Sequence, residues 1–367
     1  MISFSKRLLI VLICVVILIL VYLTYLNHQD YIEIFDLSYE FKNNRPNISS
    51  QKLLDIPFRY LINNEFLCTD ENSEILAVFI VTSYFGNVET RSSMRQAFPL
   101  EDLKKHKLRR IFLLGTAPTD IYINQDVIEK ENEKFRDIIQ GNFIEAYRNL
   151  TYKHVMGLKW ITTFCSNSKY IIKMDDDIVV NMYMIESILM SLNNIRHRKF
   201  IAGYVLTNMV PIREPTNKWY VTKEEYPFSR YPPFVSGWFY ITNVRTVKNL
   251  VALVNYEPYF WIDDLYITGI LAAKLKITLY NISKHFTPNS EFLQCCLQDF
   301  NKDLYCDINI GPNGGDNNMF YHFNKQAKKC FHGKCKRRLK SIDESCVAEQ
   351  KMNLGKGLGF VNSLKLK

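Results

Sequence analysis

Short apolar runs, each closed by small or polar residues, alternate along the middle of the chain with segments whose apolar residues recur at helical spacing. The runs predict buried strands at 75–81, at 111–114, from Tyr170 onward, at 200–206 and at 234–242. The spaced segments predict helices at 143–160, 182–195, 244–254 and 263–275, and residues 319–323 predict a closing strand. This alternation is typical of an α/β domain with a largely parallel sheet flanked by helices.

The N-terminal segment is apolar enough to span a membrane. Residues 8–26 form one apolar stretch, close to the roughly 20 residues of a membrane-spanning helix. Lys6 and Arg7 precede it, and the positive-inside rule then places residues 1–7 in the cytosol. A cleaved signal peptide is the alternative, but the stretch is long for one and no small-residue cleavage site follows it. The sequence predicts an uncleaved signal anchor of a single-pass type II protein, followed by a polar stem at 27–71.

The net charge of +9 over 367 residues is concentrated at the C-terminus. Residues 325–367 hold 12 Lys and Arg against 3 Asp and Glu, a balance of +9, so residues 1–324 are neutral overall. The sequence therefore predicts a domain at 72–327, a basic Cys-containing tail at 328–367, and no nucleic-acid partner. It contains neither a GxGxxG fingerprint nor a P-loop, which argues against a Rossmann dehydrogenase or a P-loop kinase.

Cysteines and glycosylation sequons agree with a lumenal domain. Cys14 lies in the predicted span, and eight cysteines follow it, an even number in a compartment that permits disulfides. Zinc is the alternative for the cluster from Cys295 to Cys346, although no paired Cys-x2-Cys spacing supports it. Of the three Asn-x-Ser/Thr sequons, Asn47 and Asn281 are predicted to carry glycans, whereas Asn149 lies in a helix-like segment and is predicted to be buried.

The candidate chemistry starts at Asp175-Asp176-Asp177, which follows the apolar run from Tyr170. Three adjacent carboxylates repel one another, and a divalent cation relieves that repulsion. Carboxylates suit hard or borderline cations such as Mg²⁺, Mn²⁺ and Ca²⁺. In open α/β sheets the carboxyl end of a strand is also where ligands bind. A solvated acidic turn is the alternative, and the flanking β-branched residues disfavour it.

Five segments in a fixed order resemble one family, the β1,3-galactosyltransferase-like glycosyltransferases. They are Arg91–Phe98, Asp137–Lys153, Lys173–Asn181, Lys218–Gly237 and Ile262–Gly269. The resemblance, which covers roughly 75–325, implies a GT-A-like Rossmann-type mixed sheet flanked by helices, in an inverting type II Golgi enzyme. The sequence departs from the family pattern at Ala97-Phe98 and at Val235. It also departs at Trp238-Phe239, two positions where the family usually has small residues. The crowding at Trp238 bears on sugar specificity rather than on the type of reaction.

The resemblance also implies roles for the acidic residues. In the family the first and third acids of the triple motif face the nucleotide, and the third binds Mn²⁺, which assigns these roles to Asp175 and Asp177. Asp176 points the other way in extended backbone and either assists donor binding or caps the strand. A general base must remove the proton of the attacking hydroxyl, and the resemblance assigns this role to Asp264. Asp263 then caps the helix that follows.

Further candidates surround these acids. His322 is preferred over His285 as a second metal ligand, since imidazole also binds Mn²⁺. Arg91 and Arg95 follow the first strand and are predicted to meet a phosphate or uracil, with a solvated helix face as the alternative. Lys173 pairs either with neighbouring carboxylates or with diphosphate. The predicted sugar platforms for the acceptor, each with a core position as the alternative, are Trp219, Tyr231, Trp238 and Trp261.

The sequence thus predicts a Golgi membrane enzyme that moves a hexose from a UDP-sugar to a hydroxyl of a glycoprotein or glycolipid glycan. Galactose and an N-acetylhexosamine are both open as the donor sugar, and a β1,3 linkage and inversion follow from the resemblance. The rival hypothesis is a non-catalytic lumenal glycan-binding protein or chaperone on the same scaffold. Such a protein has no need of two intact acidic motifs.

Overall fold

A computed structural model describes residues 15–18, 33–35, 59–69, 74–117, 123–298 and 302–346. The chain divides into two compact units, Met1–Glu33 and Ile34–Lys367. In the first unit the described residues 15–18 are helical and exposed. Among all residues that the structure describes, no helix is long and apolar enough to cross a bilayer. Most of the predicted span at 8–26, and the sequon at Asn47, lie outside the described residues, so both stay predictions.

The second unit contains the strands, apart from Glu33 at the start of the first one, and the described helices other than that at residues 15–18. The strands are β1 (Glu33–Phe35), β2 (Tyr60–Ile62), β3 (Ala77–Thr82), β4 (Leu108–Thr116), β5 (Ile138–Ile144), β6 (Tyr170–Asp175), β7 (Ile178–Val180), β8 (Phe200–Leu206), β9 (Phe234–Thr242), β10 (Thr278–Asn281) and β11 (Ile310–Pro312). The α-helices are α1 (Val88–Ala97), α2 (Leu100–Lys105), α3 (Gln125–Phe135), α4 (Leu150–Phe164), α5 (Ile185–Ser191), α6 (Val244–Val254), α7 (Ala272–Lys274), α8 (Ser290–Gln298), α9 (Asn318–Phe331) and α10 (Ile342–Ser345). Leu265–Leu271 forms a π-helix, and short 3₁₀ turns lie at Glu65–Cys68, Tyr147–Asn149, Asn193–Ile195 and Ser283–His285.

One mixed sheet organises this unit. Its nine strands run in the order β1-β10-β8-β9-β6-β3-β4-β5-β2, and β11 pairs separately with β7. Strands β6, β3, β4 and β5 are mutually parallel, whereas β9 is antiparallel to both β6 and β8. Because β9 runs the other way, its last residue Thr242 lies opposite Ile171 at the start of β6, and Phe239 in its middle lies opposite Met174 near the end of β6. The predicted mixed α/β sheet flanked by helices is confirmed.

The central strands are apolar along their whole length because helices cover both faces of the sheet. Residues 77–81 of β3 and 170–174 of β6 are all buried. Helix α4 packs on one face through Val155, Met156 and Trp160, all fully buried. A closely packed core of this kind fixes the ends of β3, β6 and β9 relative to one another.

The ordered domain extends beyond both predicted boundaries. On the N-terminal side, β2 pairs with β5, and Cys68 is joined to Cys165 by a disulfide, so the end of the predicted stem belongs to the domain. On the C-terminal side, α9 runs across residue 328 and Cys346 is bonded to Cys295. The tail up to residue 346 is therefore fastened to the domain.

All eight cysteines after the predicted span form disulfides, as the sequence predicted. The pairs are Cys68–Cys165, Cys295–Cys346, Cys296–Cys306 and Cys330–Cys335. The pairing leaves none of these thiolates to bind metal, so zinc at the Cys295–Cys346 cluster is wrong.

Several predicted elements differ from those observed. Residues 319–323 form part of helix α9 rather than a strand, because the apolar side chains Met319, Phe320 and Phe323 recur at helical spacing and face the core. The helix predicted from residue 143 begins at Leu150, since residues 138–144 pair as β5 beside β4.

Candidate active site

A cleft of about 740 Å³ opens at the carboxyl ends of β3 and β6. It is lined by Thr82–Tyr84 after β3, by Asp175–Asp177 at the end of β6 and by Ser236–Trp238 near the start of β9. Residues 145–147 and 261–264 complete the wall. The two acidic motifs, about ninety residues apart in sequence, therefore share one cavity at the sheet edge where α/β proteins bind ligands.

Lys173 ties the first acidic motif to β9. Its side chain is buried, and Nζ donates to Asp175 Oδ1 over 2.5 Å and to the carbonyl oxygen of Gly237. Burial alone lowers the pKa of Lys173, but the carboxylates of Asp175, Asp263 and Asp264 outweigh it and raise that pKa. Of the two partners predicted for Lys173, the structure shows the neighbouring carboxylate.

Asp176 is turned away from the other two acids. Its Oδ2 accepts from Ser83 Oγ at 2.7 Å and from Asn87 Nδ2 at 2.9 Å, and the residue is buried. These bonds fasten the end of β6 to the loop that follows β3. Asp176 thus has a structural role at the cleft wall, and Asp175 and Asp177 line the same cleft.

Asp177 is the exposed acid of the three and faces the cleft. Although this side chain is exposed, the protein around the carboxyl reduces its contact with bulk water and raises its pKa to about 6, and the charges of Asp175 and Asp176 add to the rise. Negative charge at this point is therefore incompletely compensated. Within the part of the chain that the structure describes, no three His, Cys, Asp or Glu side chains are grouped to hold a metal ion by themselves.

In the second acidic motif, the residue that caps the following helix is not the one predicted. Asp264, not Asp263, caps the π-helix, because its Oδ1 accepts from Leu265 N at 2.7 Å. Its Oδ2 accepts from Gly237 N at 3.0 Å. A Cβ on residue 237 would lie 2.8 Å from Asp264 Cβ, so only glycine lets the strand come this close. Asp263 instead bonds to a buried histidine, His154, over 2.9 Å.

The pKa values of the two neighbouring carboxyls are shifted in opposite directions. Burial raises the pKa of Asp264 to about 7, and the adjacent charge of Asp263 contributes to the rise. Burial acts in the same direction on Asp263, but the bond from His154 and the charge of Lys173 outweigh it and lower that pKa to about 2. A carboxylate with a pKa near the working pH is suited to general base catalysis, and here it is Asp264.

Arg91 and Arg95 do not line the cleft. Both are buried on α1, where Arg91 forms a two-bonded pair with Glu131 at 2.7 and 2.8 Å and Arg95 bonds to Glu131 and Asp137. Arg91 also donates to the carbonyl oxygens of Tyr84 and Phe85. The prediction that they meet a phosphate or uracil is wrong, because their guanidinium groups are already paired. Arg91 holds the loop after β3 that carries Tyr84 into the cleft.

The predicted aromatic platforms separate into two groups. Trp219, Trp238 and Trp261 line the cleft, and Trp219 donates from Nε1 to Tyr147 Oη over 2.7 Å. Tyr231 is instead buried among Tyr226, Phe234 and Phe260, which makes it a core residue rather than a sugar platform.

His322 is placed unlike a metal ligand. It lies on the exposed side of α9 against Tyr321 and is not part of the cleft wall that contains Asp177. The error follows from predicting a strand at residues 319–323.

The sequon residue Asn281 is half-buried and accepts from Ser283 N, while Asn149 donates to the carbonyl oxygen of Ile144.

Sequence reasoning gave no role to two buried cleft residues, Lys153 and Glu145. Lys153 Nζ donates to Glu145 Oε2 at 2.7 Å and to the carbonyl oxygen of Ser83 at 2.6 Å. Lys153 lies in one of the five segments that resemble the family, so the sequence did mark this residue. Its partners could not be identified from the sequence because they belong to other elements. Tyr84, Tyr147 and Lys218 also line the cleft.

Comparison with known proteins identifies a family to which this sequence is similar. Residues 89–283 match the family described as galactosyltransferase. The chain is 32% identical over 223 residues to human beta-1,3-galactosyltransferase 5, an alignment that covers 60% of this chain and 70% of that protein. It is 35% identical over 232 residues to mouse beta-1,3-galactosyltransferase 1, covering 63% and 69%. A crystal structure of the galactosyltransferase LgtC with donor and acceptor sugar analogues aligns with 71% of this chain and 100% of that one, at 8% identity and a TM-score of 0.35.

The sequence matches, together with an acidic cleft at the carboxyl edge of the sheet, define a glycosyltransferase. Within that class the chain belongs to the galactosyltransferase family. The resemblance seen in the sequence motifs is thereby confirmed, and the family implies a nucleotide-sugar donor and a glycan acceptor.

Proposed function

We propose that the protein transfers a hexose, with galactose the first candidate, from a UDP-sugar to a glycan hydroxyl, with inversion and a β1,3 linkage. The observation that carries the proposal is the meeting of the two acidic motifs in one cleft. The raised pKa of Asp264, beside Asp263 with its lowered pKa, supports a general base at this place. The names of the relatives, both beta-1,3-galactosyltransferases, support the choice of sugar and linkage. A binding protein on this scaffold, the rival hypothesis, needs no such base.

In this proposal the chain's own residues divide the reaction between them. Asp264 accepts the proton of the attacking hydroxyl, and its two backbone donors, Gly237 and Leu265, hold the carboxylate in place. Trp219 and Trp238 offer aromatic faces to the sugars, whereas Trp261 is buried with Arg148 over its ring and supports the cleft wall. Lys173 anchors Asp175 and contributes positive charge near the departing diphosphate.

The cleft fits a divalent cation such as Mn²⁺ held jointly by protein and substrate. Asp175 is engaged by Lys173, and Asp176 by Ser83 and Asn87, whereas among described side chains none donates to Asp177. Hard cations often bind one or two carboxylates and take their other ligands from substrate phosphates and water. Asp177 is therefore the residue that would hold the ion, which when bound neutralises charge on a departing diphosphate.

The experiment is UDP release over a panel of UDP-sugars, repeated with EDTA and with Asp177→Asn. UDP-galactose should be turned over with a glycan acceptor, and EDTA should remove the activity. Asp177→Asn should lower kcat on the order of 10²–10³-fold, because the ion supplies several kcal/mol of charge stabilisation. The exposed Asp126 on α3 gives a matched control, Asp126→Asn, which should behave as wild type. Full turnover in EDTA would exclude the metal assignment, and no turnover of any UDP-sugar would favour the binding protein.

We propose further that the enzyme is a type II protein of the Golgi membrane with a lumenal domain. The charge pattern at Lys6-Arg7, the apolar stretch at 8–26 and the four disulfides support this orientation. In cells, the chain should stay in membranes after alkaline washing, and Asn47→Gln should remove one endoglycosidase-sensitive glycan. A mature chain that begins near residue 27 and is recovered without membranes would show a cleaved signal peptide instead.

A further inference from the structure

A fully buried histidine, His154 on α4, connects the second acidic motif to the sheet. Its Nδ1 lies 2.9 Å from Asp263 Oδ2, and its Nε2 lies 2.6 Å from the hydroxyl oxygen of Tyr240 on β9. Both His154 and Tyr240 have no exposed surface. The proposed reaction assigns no task to either side chain, although Asp263 directly precedes the proposed base.

The positions of the protons in this chain follow from the chemistry of its ends. Since the ionised carboxylate of Asp263 can only accept, Nδ1 of His154 must carry a proton and donate it. Burial lowers the pKa of His154, so the ring stays neutral and its Nε2 is an acceptor. Burial raises the pKa of Tyr240 well above its ordinary value, so its hydroxyl keeps the proton that Nε2 needs. The hydrogen bonds therefore all run from Tyr240 through His154 to Asp263.

This arrangement stabilises the charge on Asp263 in a buried place. An ionised carboxyl without a donor would be costly there. Asp263 in turn lies next to Asp264, and two adjacent carboxylates interact strongly, so their titrations belong to the pair. The titratable and charged groups that act on the pair come from four surrounding segments and are Lys173, Asp175, His154, Tyr147, Tyr231, Tyr240 and Tyr259.

We propose that His154 is a positioning residue for catalysis, which keeps Asp263 ionised and oriented beside Asp264. The inference rests on the proposed function, because it takes Asp264 as the base. It adds that the charge next to the base is maintained by a buried hydrogen-bond chain that begins on the sheet.

His154→Leu removes the donor to Asp263. The ionised carboxylate of Asp263 then loses one charge-assisted hydrogen bond, so its own titration midpoint should rise by about one pH unit, the size expected for one hydrogen bond to a charged group. The last proton of the pair is held by Asp264 with or without this donor, so kcat should fall while the acidic limb of kcat/KM keeps its position. His154→Asn keeps an N–H near the position of Nδ1 and should restore most of the wild-type behaviour. His154→Gln places its amide further out, near Nε2, and should resemble His154→Leu.

Two measurements on the full-length protein separate this role from a purely structural one. The first is kcat/KM against pH with the UDP-sugar that is turned over in the panel. The second, which needs no activity, is a carboxyl ¹³C NMR titration with labelled aspartate, in which Asp263→Asn and Asp264→Asn identify the signals. Val155→Ala, on the same helix and equally buried, is the control that should lower stability without moving the titration midpoint.

The expected result is an upward shift of the titration midpoint of the Asp263 carboxyl in His154→Leu and His154→Gln but not in His154→Asn or Val155→Ala. If His154→Leu does not fold, the contrast between Asn and Gln decides the question. Equal midpoints in the Asn and Gln variants, or a wild-type midpoint in both Leu and Gln variants, would overturn the proposal even if activity falls. A shifted midpoint in a protein that turns over no UDP-sugar would retain the role of His154 toward the acids and reject the glycosyltransfer reaction.

Discussion

Asp264→Asn is expected to lower kcat by about 10²–10⁴-fold while UDP binding is retained. The amide keeps the shape of the carboxyl but only one acceptor oxygen, so it can keep the bond from Gly237 N or from Leu265 N but not both. What it loses is the ability to take a proton from the attacking hydroxyl. Calorimetric titration with UDP, run beside turnover, measures both properties on the same preparation.

Stability gives this variant an additional readout. The pKa of Asp264 is raised in the folded protein, so ionising it as pH rises from its ordinary range through about 7 costs the folded state free energy. Asp264→Asn removes this pH-dependent cost, so the fall in unfolding temperature that the wild type should show as pH rises toward 7 should be smaller in the variant. In the wild type the same titration should make kcat/KM rise with pH up to about 7. Near-normal kcat in Asp264→Asn would show that the base lies elsewhere, and loss of UDP binding would show that the residue is structural.

Glu131→Gln is expected to destabilise the folded protein by about 3–5 kcal/mol. Glu131 is buried between two arginines, Arg91 and Arg95, with bonds of 2.6–2.8 Å, so the variant leaves buried positive charge without its partner. Burial by itself raises the pKa of Glu131, but the two arginines outweigh it and lower that pKa. The stabilisation is thus present at neutral pH and is lost as pH falls through the lowered pKa.

Urea denaturation at pH 7 measures this loss of free energy directly. Glu133→Gln, two residues away on the exposed side of the same helix, is the matched control and should change stability little. Because the Arg91 pair also holds the loop at Tyr84, any Glu131→Gln protein that folds should have a raised KM for the donor. An unfolding free energy equal to that of Glu133→Gln would show that the network contributes little to stability.

The sequence by itself determined the parts that depend on local pattern. Strands at 200–206 and 234–242 and the helix at 244–254 were predicted with the bounds they have in the structure, since apolar period and flanking polar residues mark them. The acidic motif at 175–177 was recognised because it follows a buried strand. Disulfides among the eight cysteines were predicted because their number is even and because the apolar segment at 8–26 indicates a compartment that permits disulfides.

Only the tertiary structure decided which distant residues meet. Arg95 lies 42 residues from Asp137 and His154 lies 109 from Asp263, and nothing local in either segment indicates the partner. The same holds for the disulfide pairs and for which of the two adjacent acids caps the helix, because the direction of each side chain is set by strand order and by helix packing. The periodicity of a sequence shows which side chains of an element face the core, but not which other element they contact. Here the antiparallel pairing of β9 with β6 brings Gly237, Lys173 and Asp264 together.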